Sequence, residues 1–251
     1  MYLPEVDKYA HLPSLVHEWD GRLRIVSLAV LAVSIATLTS LGAGLVALAI
    51  ALILVYISRI PIGFVLRRLR WVLMFVGVLF AVLLFTVRGT PVVDFGIVIS
   101  REGVELGALV LVRALSITLL MIPMFGTSAF HESLKAFEQL GVPPKLVQLV
   151  LFTYRYLFLF SEESRRILVA ARSRGWAAKM TLSGISMAGN IVGMLLVRSF
   201  ERTERVHSAM LSRGYEGRVA MIGEFKLHAR DWLKGLLVVA AAGGLQLIGR
   251  L

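Results

Sequence analysis

The chain has 251 residues, 57% of them hydrophobic and 17% charged, and a formal net charge of +11. That is too apolar for an ordinary soluble domain, and its apolar stretches are long enough to enter or cross a bilayer. It has no cysteine, which excludes disulfides, thiol nucleophiles and thiolate metal sites.

From the N-terminus, the first 20 residues are polar and hold four acids, so no cleavable leader is expected. Residues 5–24 read EVDKYAHLPSLVHEWDGRLR. Asp7, His11, His17 and Asp20 are residue types that hold divalent ions. However, Pro13 interrupts any helix that would align them, and the stretch contains neither HxxxH nor HExxH. A surface segment leading into the membrane is the preferred reading, and no metal ligand is assigned.

Apolar stretches at 25–39 and 43–57, split by a turn over 40–44, read as a membrane hairpin. Arg59, Arg67, Arg68 and Arg70 follow; 71–87 reads as a third span and 104–125 as a fourth. A polar loop with a turn at Pro91 is expected over 88–103, and 232–249 reads as a final span. Arg113 lies inside the fourth span, where a charge is a functional candidate by default. Its plainer reading, ranked first, is a structural pair with Glu105 two turns earlier or with a neighbouring carbonyl.

Residues 126–231 hold 15 of the 27 Lys and Arg residues. The block opens with a short amphipathic helix, AFHESLKAFEQL at 129–140, stopped by Gly141 and Pro143-Pro144. His131 reads there as a surface residue. Two apolar runs, 146–160 and 183–197, invite assignment as further spans. If 146–160 crossed, Arg165, Arg166, Arg172, Arg174 and Lys179 would lie outside, against the positive-inside rule. Keeping both runs from crossing puts every basic cluster on one side. The N-terminus, 58–70 and 126–231 are then cytoplasmic. Five spans are expected, with seven as the alternative. The runs themselves read as interfacial amphipathic helices. Gly184, Ala188, Gly189 and Gly193 form a small-residue stripe that would let two helices cross closely.

Within this block a short phrase is written twice. Residues 162–176 read EESRRILVAARSRGW and 201–215 read ERTERVHSAMLSRGY, a shift of 39. Glu162/Glu201, Arg166/Arg205, Ala170/Ala209, Ser173/Ser212, Arg174/Arg213 and Gly175/Gly214 are identical, and Trp176/Tyr215 are both aromatic. Glu, Arg and Ala four apart share one helix face, with Glu N-terminal to Arg, the favourable order. The glycine supplies a left-handed stop after a cationic last turn. Each copy therefore reads as a helix that ends by presenting an arginine. Arg172 falls outside the pattern, since its counterpart is Leu211.

Three stretches resemble the transmembrane T component of energy-coupling factor transporters, specifically the cobalt-type CbiQ family. They are the D-x-Y-A-H-L-x-S-x-x-H pattern from Asp7 to His17, the block LGVPPKLVQLVLFTYRYLFLFSEE at 140–163, and the paired Ala-x-x-Ser-Arg-Gly motifs. Gly21 departs from the family's W-D-P-R. The resemblance implies an all-α integral membrane protein. About five transmembrane helices would accompany a cytosolic or interfacial coupling region of three. The segments would be a cytosolic 1–24, four spans in 25–125, coupling helices in 126–231 and a last span in 232–251. It implies a multi-pass protein of the inner (cytoplasmic) membrane that bridges two cytosolic ATP-binding subunits and a CbiM-like subunit that captures substrate. A small CbiN-like subunit belongs to the same picture. Ala170, Ser173, Arg174, Gly175, Ala209, Ser212, Arg213 and Gly214 would form the ATPase-binding sites. ATP and magnesium would be held by the partner, with no cofactor, catalytic residue or nucleic acid in this chain.

Two other classes fit less well. A membrane enzyme needs acids, histidines or serine–lysine pairs at the membrane edge or interior, whereas the spans hold almost no acid but Glu105 and no histidine. There is no Walker A sequence either. A self-sufficient channel or secondary transporter would repeat broken polar helices inside the membrane, but the repeat lies in the basic block. Cobalt is the expected cargo, with nickel or the shared vitamin-transporter role as alternatives.

Overall fold

The computed structural model describes residues 14, 16–17, 19–87, 90–94, 98–176, 182–217 and 228–250. Asp7 and His11 of the N-terminal pattern lie outside them. Helices α1 (Gly21–Ala36), α2 (Leu41–Ile57), α3 (Ile62–Thr86), α4 (Arg101–Gly126), α5 (Phe130–Gln139), α6 (Pro144–Ser173), α7 (Leu182–Leu211) and α8 (Ala229–Arg250) make the fold. Strands β1 (Pro91–Asp94) and β2 (Val98–Ser100) are the strands among the described residues. They pair antiparallel, with Pro91 opposite Ser100 and Asp94 opposite Val98, and a bulge between Pro91 and Val93. A polar loop is the sequence expectation there. Val92, Val93, Val98 and Ile99 are β-branched, and that preference for extended backbone prevails.

The chain divides into two compact units, 1–140 with 223–251, and 141–222. In the first, α1, α2, α4 and α8 share a core that includes Leu28, Leu31, Ile35, Leu119, Leu120 and Leu245. α2 meets it through Ala43, Ala47 and Ala51, four apart and fully buried. Small residues let helices approach where no water-driven force brings them together. α3 lies equally close to α4: a Cβ on Gly107 would stand 2.6 Å from the Phe80 ring. Ser34 of α1 donates to the Ala242 carbonyl at 2.9 Å, and Gln246 of α8 donates back to the Ser34 carbonyl at 3.0 Å. These bonds lock α1 to α8 inside an apolar setting.

The outer faces of this unit are apolar too. On α3, Trp71, Met74, Phe75, Val78 and Phe85 are exposed. A continuous surface of that kind fits lipid rather than water. Among the described residues α3, α4 and Ala229–Gly249 of α8 are long and apolar enough to cross a membrane. α2 is a shorter apolar helix of 17 residues and α1 has 16. Three of the five expected spans thus have full length, and the first two form a shorter hairpin. Neither α6 nor α7 is apolar enough along its length to cross a membrane, because each apolar run continues into a charged half.

The entry to α1 is a polar joint. Asp20 caps the helix by accepting from the Arg22 amide at 2.9 Å and pairs with the Arg22 guanidinium at 3.1 Å. Gly21, where the family pattern has proline, is the first helical residue, a position proline suits. Arg24 is 1% exposed, donating to the Val16 carbonyl at 3.1 Å and Ser128 Oγ at 2.6 Å. His17 Nδ1 lies 2.6 Å from Ser14 Oγ. His17 and Asp20 are thus engaged in turn and cap contacts.

Candidate functional site

The second unit contains both copies of the repeat, carried on α6 and α7, each 30 residues long. The two copies end alike. The Trp176 amide donates to the Ala171 carbonyl at 3.1 Å and the Gly175 amide to the Arg172 carbonyl at 3.0 Å. The Tyr215 amide donates to Met210 at 3.1 Å and the Gly214 amide to Leu211 at 3.0 Å. This is the paired six-to-one and five-to-two bonding of a Schellman stop. Gly175 has φ +84° and Gly214 φ +78°, a region that costs any residue with a Cβ. Arg174 and Arg213 consequently sit at the last half-helical position, where a cation faces the negative end of the helix dipole.

Ala170, Ser173, Arg174 and Gly175 are all exposed, as are Ala209, Ser212, Arg213 and Gly214. Ser173 Oγ donates to the Ala170 carbonyl and Ser212 Oγ to the Ser208 carbonyl, both at 2.9 Å. The expected Glu-to-Arg pairs form one turn back, Glu162 with Arg166 and Glu201 with Arg205. Among the described residues none pairs with the guanidinium of Arg174 or Arg213. Both are exposed, with their donors uncommitted among the described residues. Arg172 is exposed as well.

The two helices run antiparallel. Ile167 and Ala171 of α6 cluster with Ile191 of α7, Glu163 bonds Arg198 at 3.0 Å, and Gln148 bonds Tyr215. As the α6 number falls, the α7 number rises. Gln148 lies level with the second motif and is 26 residues before Arg174, so the two arginines stand roughly 40 Å apart along the pair. One motif emerges at each end.

The pairing has an approximate two-fold symmetry that the sequence comparison alone does not reveal. Glu163 and Arg202 occupy the same place in the two copies and bond each other at 3.4 Å. On one side of them Ile167, Ala171 and Trp176 pack on Met187, Ile191 and Leu195. On the other side the residues 39 positions away line up: Val206, Met210 and Tyr215 with Gln148, Phe152 and Tyr156. The chemistry at the two ends differs. Trp176 enters a closed apolar cluster. Tyr215 donates its hydroxyl to Gln148 Oε1 at 2.8 Å, and Gln148 Nε2 donates to the Gly217 carbonyl at 3.3 Å. The second end keeps a cleft of about 220 Å³, lined by Phe152, Tyr156, Phe160, Arg202, His207 and Met210 among others.

Two sequence expectations are corrected. Of the small-residue stripe only Gly184 is buried: Ala188, Gly189 and Gly193 are exposed, and a Cβ on Gly189 or Gly193 would meet nothing within 4 Å. Met187, Ile191 and Leu195 make the contact instead. Each is two residues from a stripe member, about 200° around the helix. Glu105 does not pair with Arg113 either. It bonds Arg101 at 3.2 Å, one turn away, because i,i+4 neighbours meet and i,i+8 residues stand about 12 Å apart.

A profile of the CbiQ family, described as cobalt transport protein, matches residues 13–222. The chain is 31% identical over 206 residues to an energy-coupling factor transporter transmembrane protein EcfT of Exiguobacterium sibiricum, covering 76% of this chain and 77% of that one. To the EcfT of Macrococcus caseolyticus it is 26% identical over 237 residues, covering 90% and 88%. It is also 25% identical over 235 residues to an uncharacterized protein of Methanocaldococcus jannaschii, covering 90% and 80%.

Proposed function

The chain belongs to the CbiQ family, the transmembrane components of energy-coupling factor transporters, and we propose that it couples ATP hydrolysis by two cytosolic subunits to a membrane subunit that captures the substrate. It is a transport subunit without catalytic work of its own. Arg174 and Arg213 are the joints, each inserting into a groove on one ATP-binding subunit. The observation that carries this reading is the pair of identically capped helix ends, each offering an uncommitted arginine at opposite ends of an antiparallel pair. Two such ends suit two equal partners. A guanidinium suits the task because it stays charged and can hold a carboxylate through two parallel bonds. When the ATP-binding subunits close, the ends are drawn together, and the paired helices pass that movement to the spans.

In this reading residues 126–231 and the N-terminus face the cytosol, the basic clusters fixing the orientation. Ala170, Ser173, Gly175, Ala209, Ser212 and Gly214 shape the two joints. ATP and magnesium stay with the partner subunits. Cobalt is the cargo favoured by the family description. The relatives named for a general energy-coupling factor transporter keep nickel and vitamin import as the second reading. The test is ATP-driven uptake into proteoliposomes holding the whole complex, with cobalt, nickel and a vitamin offered in turn. Uptake of cobalt that stops in the Arg174→Ala/Arg213→Ala variant supports the proposal. Undiminished uptake in that variant refutes the role of the two arginines.

A further inference from the structure

α4 carries a cation at its middle. Arg113 has 12 residues before it and 13 after it in this 26-residue helix, so it lies about 18–20 Å from either end. Its Nε is buried without a hydrogen-bond partner, and among the described residues none pairs with the guanidinium. Among the described residues no carboxylate is placed to answer it. α1, α2 and α3 contain no Asp or Glu. Glu105 is committed to Arg101. Asp231, in the first turn of α8, accepts from the His228 amide at 3.1 Å.

A lone charge at that depth is costly, and arginines in spans face protein or water and pair. Lipid phosphate is a poor candidate. The apolar core is about 30 Å thick, so a residue at mid-helix stands about 15 Å below the headgroups, beyond the reach of its side chain. Leu106, Val110, Arg113 and Ile117 share one stripe of α4 by their helical spacing. Leu106 is 47% exposed and Val110 and Arg113 are half-buried, while Ile117 packs against the core of the unit, which leaves the stripe from Leu106 to Arg113 open to another helix.

We infer that Arg113 is a docking point inside the membrane for a carboxylate on a spanning helix of the substrate-capture subunit. The inference rests on the coupling role proposed above, since the ATP-binding subunits are cytosolic and the capture subunit is the protein neighbour in the bilayer.

The complex is purified through a tag on this chain, co-expressed with its ATP-binding and capture subunits, for wild type, Arg113→Leu, Arg113→Gln and Arg113→Lys. The Leu and Gln variants are expected to lose the capture subunit at least about tenfold and to keep the ATP-binding subunits at the wild-type ratio. Lys, which keeps the charge, retains more capture subunit than Gln. Arg113→Leu removes a charge from an apolar span, so its melting temperature in detergent is expected to equal or exceed wild type. Capture subunit retained in full by the Leu and Gln variants overturns the inference and leaves the coupling role standing. So does loss of every subunit together with a lowered melting temperature. A wild-type chain that holds neither kind of subunit overturns the coupling role and this inference with it.

Discussion

Glu163 and Arg202 hold the same position in the two copies of the repeat, 39 residues apart, and they bond each other at 3.4 Å. Glu163 also takes Arg198 at 3.0 Å, so the centre of the α6–α7 pair is held by one carboxylate between two cations. Glu163→Gln removes the charge from both bonds and is expected to cost about 1 kcal/mol. Exchanging the two as Glu163→Arg/Arg202→Glu restores a central pair and places a new carboxylate one turn from Arg198. Thermal unfolding of the single and double variants checks this. A double variant as unstable as the sum of the singles would show that the central pair contributes nothing.

The two ends of the pair are expected to respond differently to loss of one hydroxyl. Tyr215→Phe leaves Gln148, 7% exposed, without its donor, at a cost of about 1 kcal/mol. Hydrogen exchange should then rise at the amides of 213–215 and stay unchanged at 174–176. Gln148→Met with Tyr215→Trp copies the first end, where Met187 and Trp176 pack on one apolar cluster, and is expected to recover most of the protection.

At the two glycines the penalty is in the backbone alone. A Cβ on Gly175 or Gly214 would meet nothing within 4 Å, but both have positive φ. Gly175→Ala and Gly214→Ala are each expected to cost about 1 kcal/mol. Each substitution should speed exchange at its own following aromatic amide, Trp176 or Tyr215, and leave the other copy unaffected.

The N-cap of α1 ties stability to acid. Burial alone would raise the Asp20 pKa, but the hydrogen bonds and charge of Arg22 outweigh it and hold the carboxyl below its ordinary value. A lowered folded-state pKa gives stability that is complete above the unfolded value, about 4, and is lost as pH falls through the folded one. Asp20→Ala is expected to destabilise by about 1 kcal/mol at neutral pH. It should also flatten the acid limb of a melting-temperature profile relative to wild type.

How far these contacts could be read from the sequence depends on their range. Each Arg-Gly stop is a local event, set by a glycine, a cation and the aromatic after it, so residues 173–176 and 212–215 are legible as written. The spans are local too, as runs of apolar residues. α1 and α2 fall short of full length because Asp20, Ser40 and Arg59 bound their runs closely. What joins α6 to α7 is not local. Gly189 and Gly193 advertise a packing face that Met187, Ile191 and Leu195 provide instead. The signal that was available is the set of repeat positions that differ. Glu163 and Arg202 are the equivalent positions that meet and must complement each other, whereas Gln148 and Met187 are equivalent positions that give the two ends of the pair their different chemistry. Arg113 shows the reverse case. Glu105 is the acid nearest to it in the sequence, but helix geometry gives that acid to Arg101.

The proposed coupling role puts one ATP-binding subunit at each capped end. The direct measurement is the number of ATP-binding subunits that co-purify with the chain in detergent, for wild type, Arg174→Ala, Arg213→Ala and the double variant. We expect two for wild type, a loss of stable two-subunit complexes in each single variant, and none in the double. Two subunits retained by the double variant would contradict the claim and reduce the repeated motif to a pair of helix stops.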